Sequence, residues 1–396
     1  MERRTTGVEL HRWIATRIIP GRRGNRPEAG TKLRDVGLLD LGLCSPLKSQ
    51  AMYHAVASAM VPGDANTVIL CRPRRPYVCI GRHQELHCEV DTEACRRMAL
   101  PVLRRAVGGG AVYLDRQQLF FQLIWRQDQV PARIADAFEY FSRAPVDCYR
   151  RLGLAEAHFA AVNDLQMQGR KIGGLGAASV GNAFIFVGSI IMDFDARAAA
   201  SVLKVAEEKM RDKIAQSIEA YVSSLRKELG RPFRVSLVCH ELVAALERSF
   251  DARLVPRQPT APELKQYRSW SSIMRSRQWL DEVRLSRQRP RELRITGRVH
   301  VLQGVDKARG GLVRVTLVVE AQRVVDALVS GDFYAIGEAC SVLERALEGP
   351  AAAELIALRL REVWPGLEIP GVELENVLMA SERALAQASA SRLAEA

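Results

Sequence analysis

Long apolar runs, paired cysteines, clustered histidines and dense aromatics are all missing from this 396-residue chain. No window approaches ~18 consecutive apolar residues, which excludes a membrane-spanning helix and makes a membrane role unexpected. Met1-Glu2-Arg3-Arg4 is followed by no apolar stretch, so a secretory signal is not expected either. Eight cysteines are scattered without a CxxC pair, which fits reduced thiols in a cytoplasmic protein better than a disulfide framework. The nearest approach to a metal cadence is His83-x-x-x-His87 with Cys88, in a strand-and-loop context, and no metal site is expected there. Aromatic residues make up 6% of the chain without basic–aromatic interleaving, which argues against nucleic acid as a partner. No internal repeat is visible.

What is present is a globular composition, 48% hydrophobic and 26% charged, long enough for roughly two domains. The formal charge is +12, a field that attracts nucleotides, anionic lipid or an acidic protein and says nothing about fold; a basic solvated surface explains it equally well. Residues 1–32 read as a poorly ordered basic extension around Pro20-Gly21-Arg22-Arg23. A composition shift over Arg284–Arg298 places a linker at 285–297, near Pro290. That divides the chain into a large unit, 33–284, and a small α+β unit, 298–396.

Within the large unit, Val36–Leu41, Thr67–Cys71, Tyr77–Gly81, Pro101–Leu103, Ala111–Leu114 and Leu119–Ile124 read as strands. Ser45-Pro46 opens a helix, Thr92–Met98 is another, and residues 131–152 are mainly helical with a break or kink expected at Pro145. Ala183–Val187 and Ser189–Met192 look like buried strands, and residues 197–229 and Leu237–Phe250 look helical. After the linker come strands at Arg298–Leu302 and Gly311–Glu320 and helices at 334–347 and 351–363. The fold class is α/β (α+β), with a mixed sheet in the large unit.

Two segments carry chemistry. In Arg104-Arg105-Ala106-Val107-Gly108-Gly109-Gly110-Ala111-Val112-Tyr113-Leu114-Asp115, three consecutive glycines stand between strand-like runs. Glycine loses much entropy on folding, so a run of three needs an offsetting gain. Without Cβ atoms a backbone can approach a bulky ligand closely and turn N–H groups toward phosphate oxygens. Arg104 and Arg105 flank the loop and could meet a carboxylate or phosphate, although a tight turn and surface arginines explain the same residues. The second segment, Asn163-Asp164-Leu165-Gln166-Met167-Gln168-Gly169-Arg170-Lys171-Ile172, reads as a hairpin turning at Gln168-Gly169, with Lys171 on the returning strand. A lone lysine beside a turn is ordinarily solvated, and Asn163-Asp164 could equally be a capped turn.

Together the segments resemble the lipoate–protein ligase A family of the biotin and lipoate ligase superfamily. The first is similar to that family's RRxxGGGxVxHD signature and the second to its ND…G[RK]KI signature. Ile80–Gln84, Val90-Asp91 and Val187–Ile190 fit the flanking strands, and Leu312–Glu320 with Leu343-Glu344 resembles the C-terminal accessory domain. The resemblance implies ATP-dependent activation of lipoate, with Mg2+, followed by transfer to a lysine of a lipoyl carrier domain, expected to be acidic. It implies a nucleotide and acyl-adenylate site at Arg105, Gly108, Gly109, Gly110, Ala111, Val112, Tyr113, Asp115, Asn163, Asp164 and Lys171. It further implies Lys171 as the catalytic residue, bridging the acyl carboxylate and the α-phosphate.

The chain departs from the family at Val107, where a small hydroxyl residue is usual, at Leu114 for histidine and at Gln117-Gln118 for Gly-Asn. It departs again at Ser49–His54 and at Gly174-Leu175-Gly176. These changes bear on acyl-chain preference and carrier choice. Two alternatives stand beside the ligase. One is an octanoyltransferase working through a cysteine thioester, disfavoured because His158-Phe159 stands about where that cysteine falls. The other is a silent paralogue that binds a lipoylated carrier.

Overall fold

A computed structural model describes residues 33–160, 163–204, 218–283 and 299–394. The expected N-terminal extension and the linker at 285–297 lie outside the described residues. In chain order the elements begin with β1 (Arg34–Cys44), α1 (Pro46–Ala59), β2 (Thr67–Pro73) and β3 (Tyr77–Ile80). Next come α2 (Leu86–Glu89), α3 (Thr92–Arg97), β4 (Val102–Arg104), β5 (Val112–Leu114), β6 (Gln118–Arg126) and α4 (Ile134–Arg151). They continue with β7 (His158–Ala160), β8 (Asp164–Met167), β9 (Arg170–Val180), β10 (Ala183–Ile191), α5 (Ala196–Val202) and α6 (Leu225–Leu229). The large unit closes with α7 (Val235–Phe250), β11 (Ala252–Pro256), α8 (Ala261–Arg275) and α9 (Arg277–Leu280).

Its strands form an eight-stranded mixed sheet, ordered β11-β1-β2-β6-β10-β9-β8-β7, and a three-stranded sheet, β4-β3-β5. Strand β6 shows why these residues fold this way. Its odd positions, Leu119, Phe121, Leu123 and Trp125, pack with Phe138 and Phe141 of α4 and Leu242 and Leu246 of α7. On the opposite face Ile124 packs with Met52, Tyr53 and Val56 of α1. Both faces are therefore buried, and QLFFQLIWR reads as a continuous apolar run rather than an alternation. Each large apolar side chain so buried contributes about 1.5–3 kcal/mol.

Several elements differ from the sequence expectation. Pro145 neither breaks nor ends α4, which runs on to Arg151. The buried row Phe138, Phe141, Ala144, Cys148 and Tyr149 spans the proline, and its packing outweighs the helix penalty of about 3 kcal/mol. The two strands expected at 183–192 are one strand, β10. Within the long helical stretch expected after it, residues 196–202 (α5), 218–221 and 225–229 (α6) are helical, and residues 205–217 lie outside the described ones.

The C-terminal unit is a separate antiparallel sheet with helices: β12 (Val299–Ala308), β13 (Gly311–Glu320), β14 (Arg323–Gly331), α10 (Ala339–Leu347), β15 (Gly349–Pro350), α11 (Ala353–Val363) and α12 (Leu374–Ala394). The sheet order is β12-β13-β14-β15. Strand β14 was not expected from the sequence. The turn before it places Ala321 and Gln322 at φ 47° and 63°, so a tight hairpin is made without the glycine that would signal it.

The unit docks on the larger one beside the glycine loop. Gly331 donates its N–H to His83 O at 2.9 Å. Phe333 stacks on the His83 ring with centroids 5.6 Å apart. Arg314 pairs with Glu89 at 2.8 Å, with both side chains largely buried.

Inside this unit Glu344 accepts an N–H bond from Val329, and burial pushes its carboxyl up to about 7 from 4.5. A carboxyl raised in the folded state costs stability as pH climbs from about 4.5 to about 7, because folding then opposes ionisation. Glu344→Gln should flatten that decline and gain about 1–3 kcal/mol at pH 8 while matching the parent near pH 4. Denaturant melts across this range check it.

Candidate active site

The even-numbered residues of β6 that α1 does not cover face a cavity. Register pairs Gln118 with Ile191, Phe120 with Ser189 and Gln122 with Val187 across β6 and β10, and Val187 with Gly176 across β10 and β9. These alternate residues make the cavity floor. The glycine loop makes its roof, Gln50 and Tyr53 of α1 wall one end, and Phe194, Leu203, Ile218 and Tyr221 wall the other. The cavity volume is about 310 Å3.

The glycine loop lies close because other elements offer no side chain against it. A Cβ on Gly81 would sit 1.8 Å from Gly109 O, and one on Gly176 would sit 2.7 Å from Val107 Cγ1. Arg105 holds the loop from inside. It donates to Gly108 O at 2.9 Å, to Gly110 O at 2.8 Å and to Cys79 O at 3.2 Å. From α1, His54 accepts the Ala106 N–H at Nε2, 3.4 Å away. Complete burial drives its pKa down to about 3, so the ring is the neutral acceptor this bond needs. Phe333 O of the C-terminal unit accepts from Gly109 N at 3.4 Å.

Arg104 differs from the expectation that it meets a ligand or sits on the surface. It is wholly buried and donates to five carbonyls, those of Gly81, Arg82, Gln84, Trp279 and Leu280. Burial lowers its pKa to about 10, and it ties β4 to the turn after β3 and to α9. The sequence presented two adjacent arginines as equivalents. Strand alternation sends one into the protein and the other to the loop.

Lys171 follows the Gln168-Gly169 turn, whose φ values of 48° and 74° are both left-handed, as a type I′ hairpin requires. Its Nζ pairs with Asp164 Oδ1 at 2.7 Å, and Tyr221 donates to Asp164 Oδ2 at 2.8 Å. Burial, then the Asp164 contact, pushes the Tyr221 hydroxyl up to about 12. The Lys171 carbonyl accepts from Ser223 N at 2.8 Å, and Arg170 grips Glu228 with two bonds at 2.8 and 2.6 Å. Behind the strand, Tyr149 of α4 donates to Ile172 O and accepts from Ile191 N, which fixes β9 against β10. Gly174 leaves the lysine its room, since a Cβ there would lie 3.4 Å from Nζ.

Of the residues expected at the site, Arg105, Gly108, Gly109, Gly110, Ala111, Val112, Tyr113, Asn163 and Lys171 all line the cavity. Asp164 stands behind Lys171 rather than on the wall. Asp115 lines an adjoining charged cleft of about 900 Å3 with Asp193, Asp195, Arg226 and Lys227, and that cleft shares Phe194 and Val222 with the cavity. Burial, then Asp195 and Asp193, raises the Asp115 carboxyl against the bond it accepts from Gln117 N. Gln50, Tyr53, Gln122 and Tyr221 were missed. Gln122 had a signal, a polar residue in the middle of an apolar run. For Gln50 and Tyr53 the one signal was the departure from the family pattern at Ser49–His54; periodicity gave none, because α1 is buried nearly all round and shows no polar face.

Residues 45–247, just over half of the chain, match the model of the lipoyl protein ligase A/B catalytic domain. The chain belongs to this family. A Staphylococcus aureus relative, lipoate–protein ligase 2, is 25% identical over 280 residues, covering 69% of this chain and 78% of its own. An octanoyltransferase LipM from Kyrpidia tusciae is 26% identical over 250 residues, covering 57% and 91%. Among solved structures, the bipartite lipoate protein ligase of Thermoplasma acidophilum, described with its E2 lipoyl domain, superposes with a TM-score of 0.59 at 25% identity. It covers 63% of this chain and 98% of its own. LipL1 of P. falciparum, solved with lipoate, shares the fold over 87% of this chain and 97% of its own, with TM-score 0.62 and 13% identity. The relatives divide between ligases and octanoyltransferases, so the family is fixed and the reaction is to be read from the site's chemistry.

Arg104→Met removes the donor to five buried carbonyls. It should cost about 3 kcal/mol or more in unfolding free energy, whereas a surface arginine such as Arg96 should cost under about 0.5 kcal/mol on the same change. Urea melts of the two variants check the contrast.

Proposed function

We propose that this chain is an ATP-dependent lipoate–protein ligase that makes lipoyl-AMP in the cavity and passes the lipoyl group to a lysine of a lipoyl carrier domain. The observation that carries this reading over the octanoyltransferase is the cavity wall, which holds an ammonium and no thiol. A thioester route needs a cysteine thiolate beside the acyl chain. All eight cysteines fall among the described residues, and none lines the cavity. Cys79 lies behind Arg105 and Cys148 in the α4 core, and burial raises both thiols above their ordinary value. His158-Phe159, where the transferase cysteine would fall, belongs to β7 at the edge of the sheet.

An adenylate route suits what is there. A carboxylate oxygen of lipoate attacks the α-phosphorus, the bond to the bridging oxygen breaks, and pyrophosphate leaves. Negative charge gathers on the α-phosphoryl oxygens, where the Lys171 ammonium, oriented by Asp164, stabilises it. Arg105 engages the carbonyls of Gly108 and Gly110, which keeps their partial negative charges from facing the phosphate. Mg2+ would neutralise the departing pyrophosphate; among the described residues no cluster of three or more carboxylate, histidine or cysteine side chains is placed to hold it. The amine of a carrier lysine then attacks the acyl carbonyl, the bond to AMP breaks, and the amine gives up a proton. An acidic carrier domain fits the net charge of +12.

The protein supplied with ATP, Mg2+ and lipoate should release pyrophosphate, and Lys171→Ala should slow that release at least about 100-fold. Modification of a carrier domain from an octanoyl-carrier donor, without ATP and without pyrophosphate, would overturn the reading in favour of the transferase.

A further inference from the structure

Three contacts tie the Lys171 hairpin to the segment before and through α6. Val222 and Lys171 form a parallel β-bridge, Ser223 N donates to the Lys171 carbonyl at 2.8 Å, and Arg170 holds Glu228 with bonds of 2.8 and 2.6 Å. These secure the backbone of β9 and the neighbouring arginine. None of them reaches the ammonium at the end of the Lys171 side chain.

A fourth contact does so at one remove. Tyr221, the residue before that bridge, stands on the cavity wall with Ile218 and Val222, and its hydroxyl donates to Asp164 Oδ2 at 2.8 Å. Lys171 Nζ lies 2.7 Å from the other oxygen, Oδ1. That oxygen is buried and receives no aligned hydrogen bond, so the lysine contact is an ion pair. Coulomb attraction fixes a separation and leaves direction free, whereas a hydrogen bond weakens steeply away from linearity and so fixes direction. The Asp164 carboxylate therefore takes its rotation from Tyr221 and gives its charge to Lys171. The hydroxyl is pushed up to about 12, by partial burial and then by Asp164, so it stays a donor through the neutral range. The ring alone would wall the cavity equally well, and Tyr221 is 46% exposed, where water competes for a donor and the bond adds little to folding. What the oxygen adds is alignment.

We infer that Tyr221 is a positioning residue for the chemistry at Lys171: its hydroxyl sets the rotation of the Asp164 carboxylate, and that carboxylate aims the ammonium into the cavity. The inference rests on the role proposed for Lys171 in making the adenylate. A ligand that fills the cavity displaces water from the wall, and the Tyr221–Asp164 bond strengthens in the lowered dielectric. The lysine is then held most firmly as charge gathers on the α-phosphoryl oxygens. Without the hydroxyl, Asp164 is free to turn about its side-chain bonds and the ammonium follows it. The transition state, which needs the closer alignment, loses more than the ground state does.

The test is a double-mutant cycle on the full chain, with kcat and KM for ATP read from pyrophosphate release at saturating lipoate and Mg2+. Tyr221→Phe keeps the ring and should lower kcat about tenfold, the size of one hydrogen bond to a charged group, with KM for ATP within about twofold of the parent. Asp164→Ala should lower kcat at least as far. With Asp164 gone the hydroxyl has nothing to hold, and adding Tyr221→Phe should change kcat by less than about twofold. A tyrosine that only lines the wall or steadies the fold gives the same factor in both backgrounds, and that result overturns the inference. So does a kcat for Tyr221→Phe equal to that of the parent, or a loss confined to KM. A parent that releases no pyrophosphate but acylates a carrier domain from an octanoyl-carrier donor overturns the ligase reading alone. Lys171 then faces a thioester carbonyl, and the same cycle is read on acyl transfer with the same factors expected. A parent active in neither reaction overturns both. Should Asp164→Ala fail to fold, the division between kcat and KM in Tyr221→Phe decides by itself.

Discussion

Backbone packed directly against backbone is the constraint on which this site depends. Gly109 O lies where a side chain on Gly81 would stand, and Gly108 touches Phe333 O and Tyr334 of the C-terminal unit, with 3.0 Å to the nearest atom from a would-be Cβ. The roof of the cavity is therefore pinned from the β3 turn, from β9 and from a separate sheet at once. No single element could hold three glycines in one conformation against their entropy, whereas a loop tied on three sides has little freedom left to lose. The same closeness explains why Arg105 faces inward. Carbonyls in so tight a loop need donors, and a guanidinium offers a planar fork of them.

Charge in this chain is used internally more than its total suggests. Arg104 serves five carbonyls, Arg314 meets Glu89 between the two units, and Arg170 and Arg257 make paired contacts with Glu228 and Glu263. These arginines fix the parts of the molecule relative to one another. Lys171 differs in kind: its ammonium stands on the cavity wall with one carboxylate behind it, close enough to orient it and placed so that the cavity side stays open to an anion.

Much of the site was legible in the sequence because its residues are consecutive. A run such as Arg105–Tyr113, or the hairpin from Asn163 to Lys171, is read from neighbours, and local order survives folding. What was not legible depends on pairing between distant strands. Gln122 meets the Ser49 carbonyl only because β6 lies beneath α1, and nothing in residues 46–59 marks which side of a helix buried all round will touch a ligand. Arg104 and Arg105 show the limit at its sharpest: identical chemistry, adjacent positions and opposite fates, decided by which face of β4 was turned to the core. At the fold level, strands with glycine turns were found, whereas β14 was missed because Ala321 and Gln322 make its turn without one.

Strand β11 runs parallel to β1 and pairs Arg34 with Ala252 through Leu38 with Pro256, with Arg253 reaching Asp35 by two bonds of 2.9 and 2.8 Å. That pairing governs the order of events during synthesis. The first strand of the sheet cannot gain its outer neighbour until some 218 further residues have been made, which at about 5–20 residues per second is roughly ten to forty seconds. Until then its edge stays open to other chains. Loop closure over so long a span is slow as well as late. The acidic and basic residues at that edge, Asp35 and Arg34, are in keeping with a strand that must wait in water before it is covered.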